Sequence, residues 1–128
     1  MDLIPVRTNV VANRIVDAAF AVHSELGPGL LESVYETCLG YELRRRDLSW
    51  TRQVALPITY GSVRLDSGLR LDLVVDECVV VELKAVEALA PVHTAQMLTY
   101  LKLSGLRLGL LINFNVPLIE DGIKRLVR

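Results

Sequence analysis

The chain has 128 residues, 52% of them hydrophobic, a mean hydropathy of +0.38 and a formal net charge of −1 with a pI near 6.1. That length suits one domain with a modest core of its own, and the apolar surplus favours a helix-covered sheet or a dimer that hides part of its surface. The near-neutral balance argues against a dedicated, high-affinity nucleic-acid binder, which needs many Lys and Arg contacts to phosphate, but leaves room for an enzyme that holds such a polymer briefly.

No apolar run reaches the roughly 18 residues of a membrane span, and the N-terminus lacks the basic-then-apolar layout of a signal peptide. Cys38 and Cys78 are isolated, without metal-ligand spacing, and read as reduced buried thiols. The expected location is the cytoplasm, with no membrane partner.

Met1–Arg7 reads as a leader to the first helix, which Thr8 or Asn9 can cap, with Val11, Ile15, Ala19, Val22 and Leu26 at helical spacing. Gly27-Pro28-Gly29 ends it. A second helix is predicted from about Leu30 to Arg46, with an apolar stripe of Leu31, Val34, Tyr35, Cys38, Leu39 and Leu43. Glu32 in its first turn serves either as a partner for the helix dipole or as a carboxylate aimed across a sheet, with Tyr35 and Glu36 on its side of the helix. Arg44-Arg45-Arg46 closes the helix, more as dipole partners and solvated surface than as a phosphate patch.

Trp50–Tyr60 alternates as a half-buried strand, and Pro57 suggests an edge position or a bulge. Gly61-Ser62 turns into Val63–Leu65, and Ser67-Gly68 turns again into Leu69–Val75. Cys78–Lys84 follows. These last two runs, LRLDLVV and CVVVELK, are nearly all Val and Leu, yet they carry Asp72, Glu82 and Lys84. Buried charges cost several kcal/mol unless they meet one another, a metal or a ligand. Glu82 and Lys84 share a strand face. A tight two-residue turn at Asp76-Glu77 would set Asp72 opposite Val81, on the other face. A three-residue loop, or a bulge near Glu77 and Cys78, sets Asp72 opposite Glu82, roughly 5 Å away at Cβ. The odd-length loop is the expectation.

Pro91 starts a third helix, Val92–Ser104, ended by Gly105, with Ala95, Leu98 and Leu101 on its buried face and Met97 alongside. His93, Gln96 and Tyr100 line another face. A lone His there is more often structural, whereas the Gln96 amide can bind both a water and a phosphate oxygen. Leu106–Phe114 is a continuous apolar run, expected as a buried strand parallel to the one before the helix. Asp121-Gly122 leads into Ile123–Val127, a short strand or a frayed helix.

GLLESVY at Gly29–Tyr35 carries the G-x-x-E-x-x-Y pattern. With Arg70-Leu71-Asp72-Leu73, Val81-Glu82-Leu83-Lys84, Ala95-Gln96, Thr99-Tyr100-Leu101 and Gly109–Asn115, the chain from about Arg14 on resembles the GxxExxY proteins, a compact branch of the PD-(D/E)XK nuclease superfamily. The resemblance implies a mixed α/β, restriction-endonuclease-like fold, an α-β-β-β-α-β core whose central mixed sheet is flanked by helices. It implies Asp72 as the first metal-binding acid, Glu82 and Lys84 as the E-x-K pair, Glu32 as the acid of the preceding helix and Gln96 as the glutamine of the following one. Val75-Asp76-Glu77 departs from the family in lacking the glycine often found in the hairpin loop.

The chemistry fits the resemblance. Asp72, Glu82 and the Leu83 carbonyl suit part of the oxygen shell of Mg²⁺ or Mn²⁺, Lys84 and Gln96 suit the orientation of a water, and Tyr35, Arg70 and Tyr100 are candidates for substrate contact. The leading expectation is a metal-dependent nuclease acting on DNA or RNA, as a homodimer. The alternatives are a catalytically silent nuclease-fold binding or regulatory module, and a hydrolase of a small phosphorylated substrate. A basic cleft rim from Arg44–Arg46, Arg70, Lys102 or Arg107 would favour the first.

Overall fold

A computed structural model describes residues 3–128; Met1 and Asp2, the start of the expected leader, lie outside the described residues. Helices α1 (Val6–Leu26) and α2 (Glu32–Arg45) precede strands β1 (Trp50–Tyr60), β2 (Val63–Val75) and β3 (Val79–Lys84). Helix α3 (Pro91–Ser104), strand β4 (Leu108–Asn113), a 3₁₀ turn (Ile119–Gly122) and strand β5 (Ile123–Val127) complete the chain. This is the expected α-β-β-β-α-β order with one helix before it and one strand after it. The strands form a single mixed sheet in the order β1-β2-β3-β4-β5. Only β3 and β4 run parallel, joined by the α3 crossover as expected. Ile123–Val127 is resolved as an edge strand antiparallel to β4.

Alternation along β3 divides the core. Val79, Val81 and Leu83 face α1 and α2, together with Leu73, Val75, Leu108, Leu110, Ile112 and Phe114. Val80 faces α3, where Met97, Leu101 and Leu71 are buried against it. Gly109 lets α3 approach, since a Cβ there would stand 2.4 Å from Met97 Sδ. On the other face the Trp50 ring lies against the α2 backbone at Gly40, where a Cβ would sit 2.6 Å from the indole.

Several sequence expectations are corrected. Helix α1 begins after Pro5, so Thr8 is a buried helical residue and Asn9 instead accepts a hydrogen bond from Arg125. The helix starts early because proline's fixed φ suits a position flanking its first turn. Leu31 and Val34 are exposed, and α2 buries Tyr35, Leu39, Gly40, Glu42 and Leu43. Ser67-Gly68 is not a turn: β2 runs unbroken from Val63 to Val75, and the lack of a Cβ at Gly68 admits the Ile58 side chain of β1. Leu98 is exposed and Ala95 with it, because α3 rests on the Met97/Leu101 row rather than on Ala95/Leu98. Pro57 does mark an edge strand with a register shift, between Leu56 and Ile58.

The β2–β3 loop has the odd length expected. Leu73, Val74 and Val75 pair with Val81, Val80 and Val79, which leaves the three residues Asp76, Glu77 and Cys78 as the connection. Asp76 and Glu77 take left-handed φ values of 48° and 59° without a glycine. Asp is among the few side chains that tolerate this region, and its carboxylate holds the bend by accepting hydrogen bonds from Ser49 N (2.8 Å) and Ser49 Oγ (2.9 Å).

Candidate active site

The register set by that loop carries Asp72 to the position opposite Glu82. The β2–β3 ladder stops one pair short, at Leu73/Val81, and the two carboxylates fill the gap. Leu83 N donates to Asp72 Oδ2 at 3.0 Å, and Asp72 N points at Glu82 Oε1 at 3.4 Å. On its other side Asp72 is released from β1, since the β1–β2 ladder is interrupted at Gln53, whose φ is 52°. Leu71 and Val74, three residues apart, consequently both enter the α3-side core, which strict strand alternation forbids. Irregularities of this kind re-aim side chains beside functional sites.

Glu82 is 5% exposed. Burial, followed by the hydrogen bond to Asp72 and the Asp72 charge, pushes its pKa up to about 9, against the smaller opposing effects of Asp72 N–H and Lys84. At neutral pH Glu82 of the metal-free protein therefore carries a proton. A divalent cation satisfies the same demand, because it neutralises both oxygens at once. Strand geometry adds a third oxygen: the Leu83 N–H points towards β2, and in an extended residue the carbonyl points to the same side.

Glu32, at the first position of α2, feels Asp72, Lys84 and Glu36. Its carboxyl is raised chiefly by burial, while Lys84 and the Ala85 backbone favour its charged form. It is nevertheless an exposed residue. Among the described residues no three Asp, Glu, His or Cys side chains converge as a metal-holding group. Two carboxylates, a carbonyl and waters remain a fitting set for Mg²⁺, which keeps several waters and dispenses with an all-protein cage, so Glu32 fits best as an outer, water-linked acid.

Lys84 is half-buried, makes no ion pair among the described residues, and lies near enough to Glu32 and Glu82 to favour their charged forms. Tyr100, in the third turn of α3, has its hydroxyl pKa raised by burial and then by the Glu82 and Asp72 charges, which places it beside the pair. Gln96 is exposed one turn earlier. Arg70 lies two residues before Asp72 on β2, exposed and without an ion pair among the described residues.

Tyr35 is the correction. Fully buried, it stacks on Phe114 with ring centroids 4.6 Å apart, donates to Gly27 O (2.6 Å) and accepts from Leu30 N (3.1 Å). It cannot touch a substrate; it ties down the Gly27–Leu30 turn and so fixes where α2, and Glu32 with it, begins. Of the basic residues whose presence at the cleft rim would favour the nuclease, only Arg70 lies near the carboxylates. Arg44–Arg46 stand at the far end of α2, about 20 Å from Glu32 by helix rise. Lys102 is in the last turn of α3, and Arg107 adjoins the end of β4 that pairs with Val79, away from Lys84.

A model of the PD-(D/E)XK nuclease superfamily matches residues 9–126. The chain belongs to the PD-(D/E)XK nuclease superfamily. Neither the curated proteins nor the solved structures contain a match.

Within this PD-(D/E)XK fold, Asn113 braces the site from a position that the sequence pattern hardly marks. Buried at the end of β4, its Oδ1 accepts from Val86 N (3.1 Å) and Asn115 N (3.2 Å), and its Nδ2 donates to Val86 O (2.9 Å). It clamps the segment that leads from Lys84 into α3. The only signal was one amide inside the run LLINF. His93 takes its structural role: Nδ1 accepts from Ala90 N at 2.9 Å and closes the first turn of α3. No helix among the described residues is long and apolar enough to cross a membrane.

Proposed function

We propose that this PD-(D/E)XK protein is a metal-dependent nuclease of the GxxExxY branch, hydrolysing phosphodiesters in DNA or RNA. The observation that carries the reading is the three-residue hairpin loop, which brings Asp72 against Glu82 with Lys84 on the same strand face. Asp72, Glu82 and the Leu83 carbonyl would hold Mg²⁺ or Mn²⁺. When bound, such an ion neutralises charge on the phosphodiester and makes a water acidic enough to attack at neutral pH.

The chain's own groups do the rest. Lys84 orients the attacking water and stabilises negative charge growing on the phosphoryl oxygens. Gln96 positions that water from α3 through its amide, and Glu32 holds a second water at the mouth of the site. Tyr100 and Arg70 flank the phosphate, the phenol as a hydrogen-bond donor and the guanidinium as a bidentate clamp.

The test is a cleavage screen of single- and double-stranded DNA and RNA with Mg²⁺ and with Mn²⁺, run beside Lys84→Ala. Metal-dependent cleavage lost in the variant supports the reading. Equal cleavage in both proteins rejects Lys84, and no cleavage on any substrate leaves the silent binding module.

The reading extends to one cytoplasmic domain acting as a homodimer. Its support is the apolar surface that one copy leaves exposed: Tyr60, Val63 and Leu65 on the β1–β2 arm, and Val92, Leu98 and Leu103 on α3. Free Cys38 and Cys78 accord with a reducing compartment. Sedimentation at micromolar concentration is expected to give twice the chain mass, and a monomer there removes the dimer.

A further inference from the structure

A second concave feature lies beside α2, on the edge formed by β1. It has a volume of about 290 Å³ and is lined by Glu36, Thr37, Tyr41, Arg44, Trp50 and Arg52. Its composition is unlike that of a packing defect. Tyr41 is 63% exposed, and the Trp50 indole is wedged against the side-chain-free position at Gly40, so its orientation is set by the α2 backbone. The Arg44 side chain is exposed and makes no hydrogen bond or ion pair among the described residues. Arg52 binds Glu36 at 3.0 Å and thereby masks the one acid in the lining. The held Trp50 ring and the exposed Tyr41 ring, which also lies 5.8 Å from the Arg45 guanidinium, stand next to the Arg44 side chain, and such a set suits a nucleobase and its phosphate, since stacking accepts any base and Arg binds phosphate in a fork.

The pocket and the candidate site share two elements, helix α2 and the β1–β2 pair. Arg52 pairs with Leu73, the neighbour of Asp72, and Trp50 lies two residues further along the same edge strand. Glu36 lines the pocket and also acts electrostatically on Glu32, which in turn feels Asp72 and Lys84. From Trp50 to the level of Asp72 is about 10 Å by strand rise.

We propose that the Tyr41–Arg44–Trp50–Arg52 pocket binds one nucleotide of a single-stranded nucleic acid, its base stacked on Trp50 or Tyr41 and its phosphate on Arg44, so that the strand continues along the α2–β1 edge towards Asp72 and Glu82. The direction of the strand rests on the nuclease reading; the binding does not. A pocket of about 290 Å³ has room for one unpaired base.

Trp50 is the single tryptophan of the chain, so intrinsic fluorescence reports this pocket alone. With EDTA present to suppress cleavage, titration with an oligothymidylate is expected to quench Trp50 saturably, while a duplex of equal length does not. Arg44→Glu is expected to weaken binding about tenfold or more and to lower the slope of log affinity against log salt by about 1. Tyr41→Ala, followed by anisotropy of a labelled oligonucleotide, is expected to lose about tenfold. Both side chains are exposed, so neither change threatens the core. No quenching, equal affinity in Arg44→Glu, or the same quenching by inorganic phosphate alone overturns the proposal. Quenching without cleavage in any metal rejects the nuclease reading and leaves this site standing; cleavage without quenching does the reverse.

Discussion

The two faces of the sheet differ in what they bury. Under α1 and α2 a broad apolar cluster joins Val11, Ile15, Ala19, Leu39, Leu43 and Phe114 to the alternate residues of β2, β3 and β4. Under α3 the fully buried apolar set is small, Leu71, Val80, Met97 and Leu101, and it is bordered by Glu82, Asp72 and Tyr100. One face supplies burial enough to hold the strands, at about 25 cal/mol per Å² of apolar surface. The other can then carry a carboxylate that is 5% exposed, whose desolvation would be hard to sustain in a smaller core. On the proposed function, stability and chemistry are divided between opposite sides of the same strands, so substitutions on the two faces should fail in different assays.

The largest separation is expected in catalysis. Asp72→Ala, Glu82→Ala and Lys84→Ala should each lower metal-dependent cleavage by about a thousandfold or more, read as kcat/KM. Leu39→Ala, on the opposite face, should leave kcat/KM at a permissive temperature unchanged while removing about 2–5 kcal/mol of stability in urea unfolding. Full cleavage by any one of the first three removes the proposed mechanism, and loss of activity in folded Leu39→Ala would show that the faces are not independent.

A smaller effect should appear with pH. The Glu82 pKa rises from its usual 4.5 to about 9 on folding, so the folded chain binds the proton more tightly than the unfolded one. The resulting stability is complete below about pH 4.5 and is lost as pH climbs through about 9. The metal-free protein should therefore melt at progressively lower temperature over that range, Glu82→Gln should flatten the dependence, and added Mn²⁺ should raise the Tm most at the alkaline end, where no proton has to be displaced. A Tm profile identical in wild type and Glu82→Gln would dissociate Glu82 from this titration.

The smallest expected change is at Tyr35. Removing its hydroxyl in Tyr35→Phe should cost about 1 kcal/mol through the Gly27 and Leu30 hydrogen bonds, with KM unaltered because the ring faces the core. A raised KM at unchanged kcat would return Tyr35 to the substrate.

The sequence by itself determined the order of the helices and main strands, apart from a turn at Ser67-Gly68 that does not form and a last segment left as strand or helix, together with the parallel β3–α3–β4 unit and the set of charges in apolar strands, because hydrophobic period, Gly and Pro punctuation and the cost of buried charge are local or compositional facts. It narrowed the hairpin to two registers and favoured the one that forms, since only that register sets Asp72 opposite Glu82. Tertiary structure decided what local pattern leaves open. Tyr35 went to the core because Phe114, from the far end of the chain, covers its ring. Asp72 left its β1 partner because Gln53 turns through a positive φ, and Asp76 holds the loop because Ser49 is there to donate to it. Arg44 was separated from the carboxylates by the length of α2 and set beside Trp50 and Tyr41 instead. Each of these outcomes depends on a partner distant in sequence, and periodicity carries no information about which distant residue a side chain will meet.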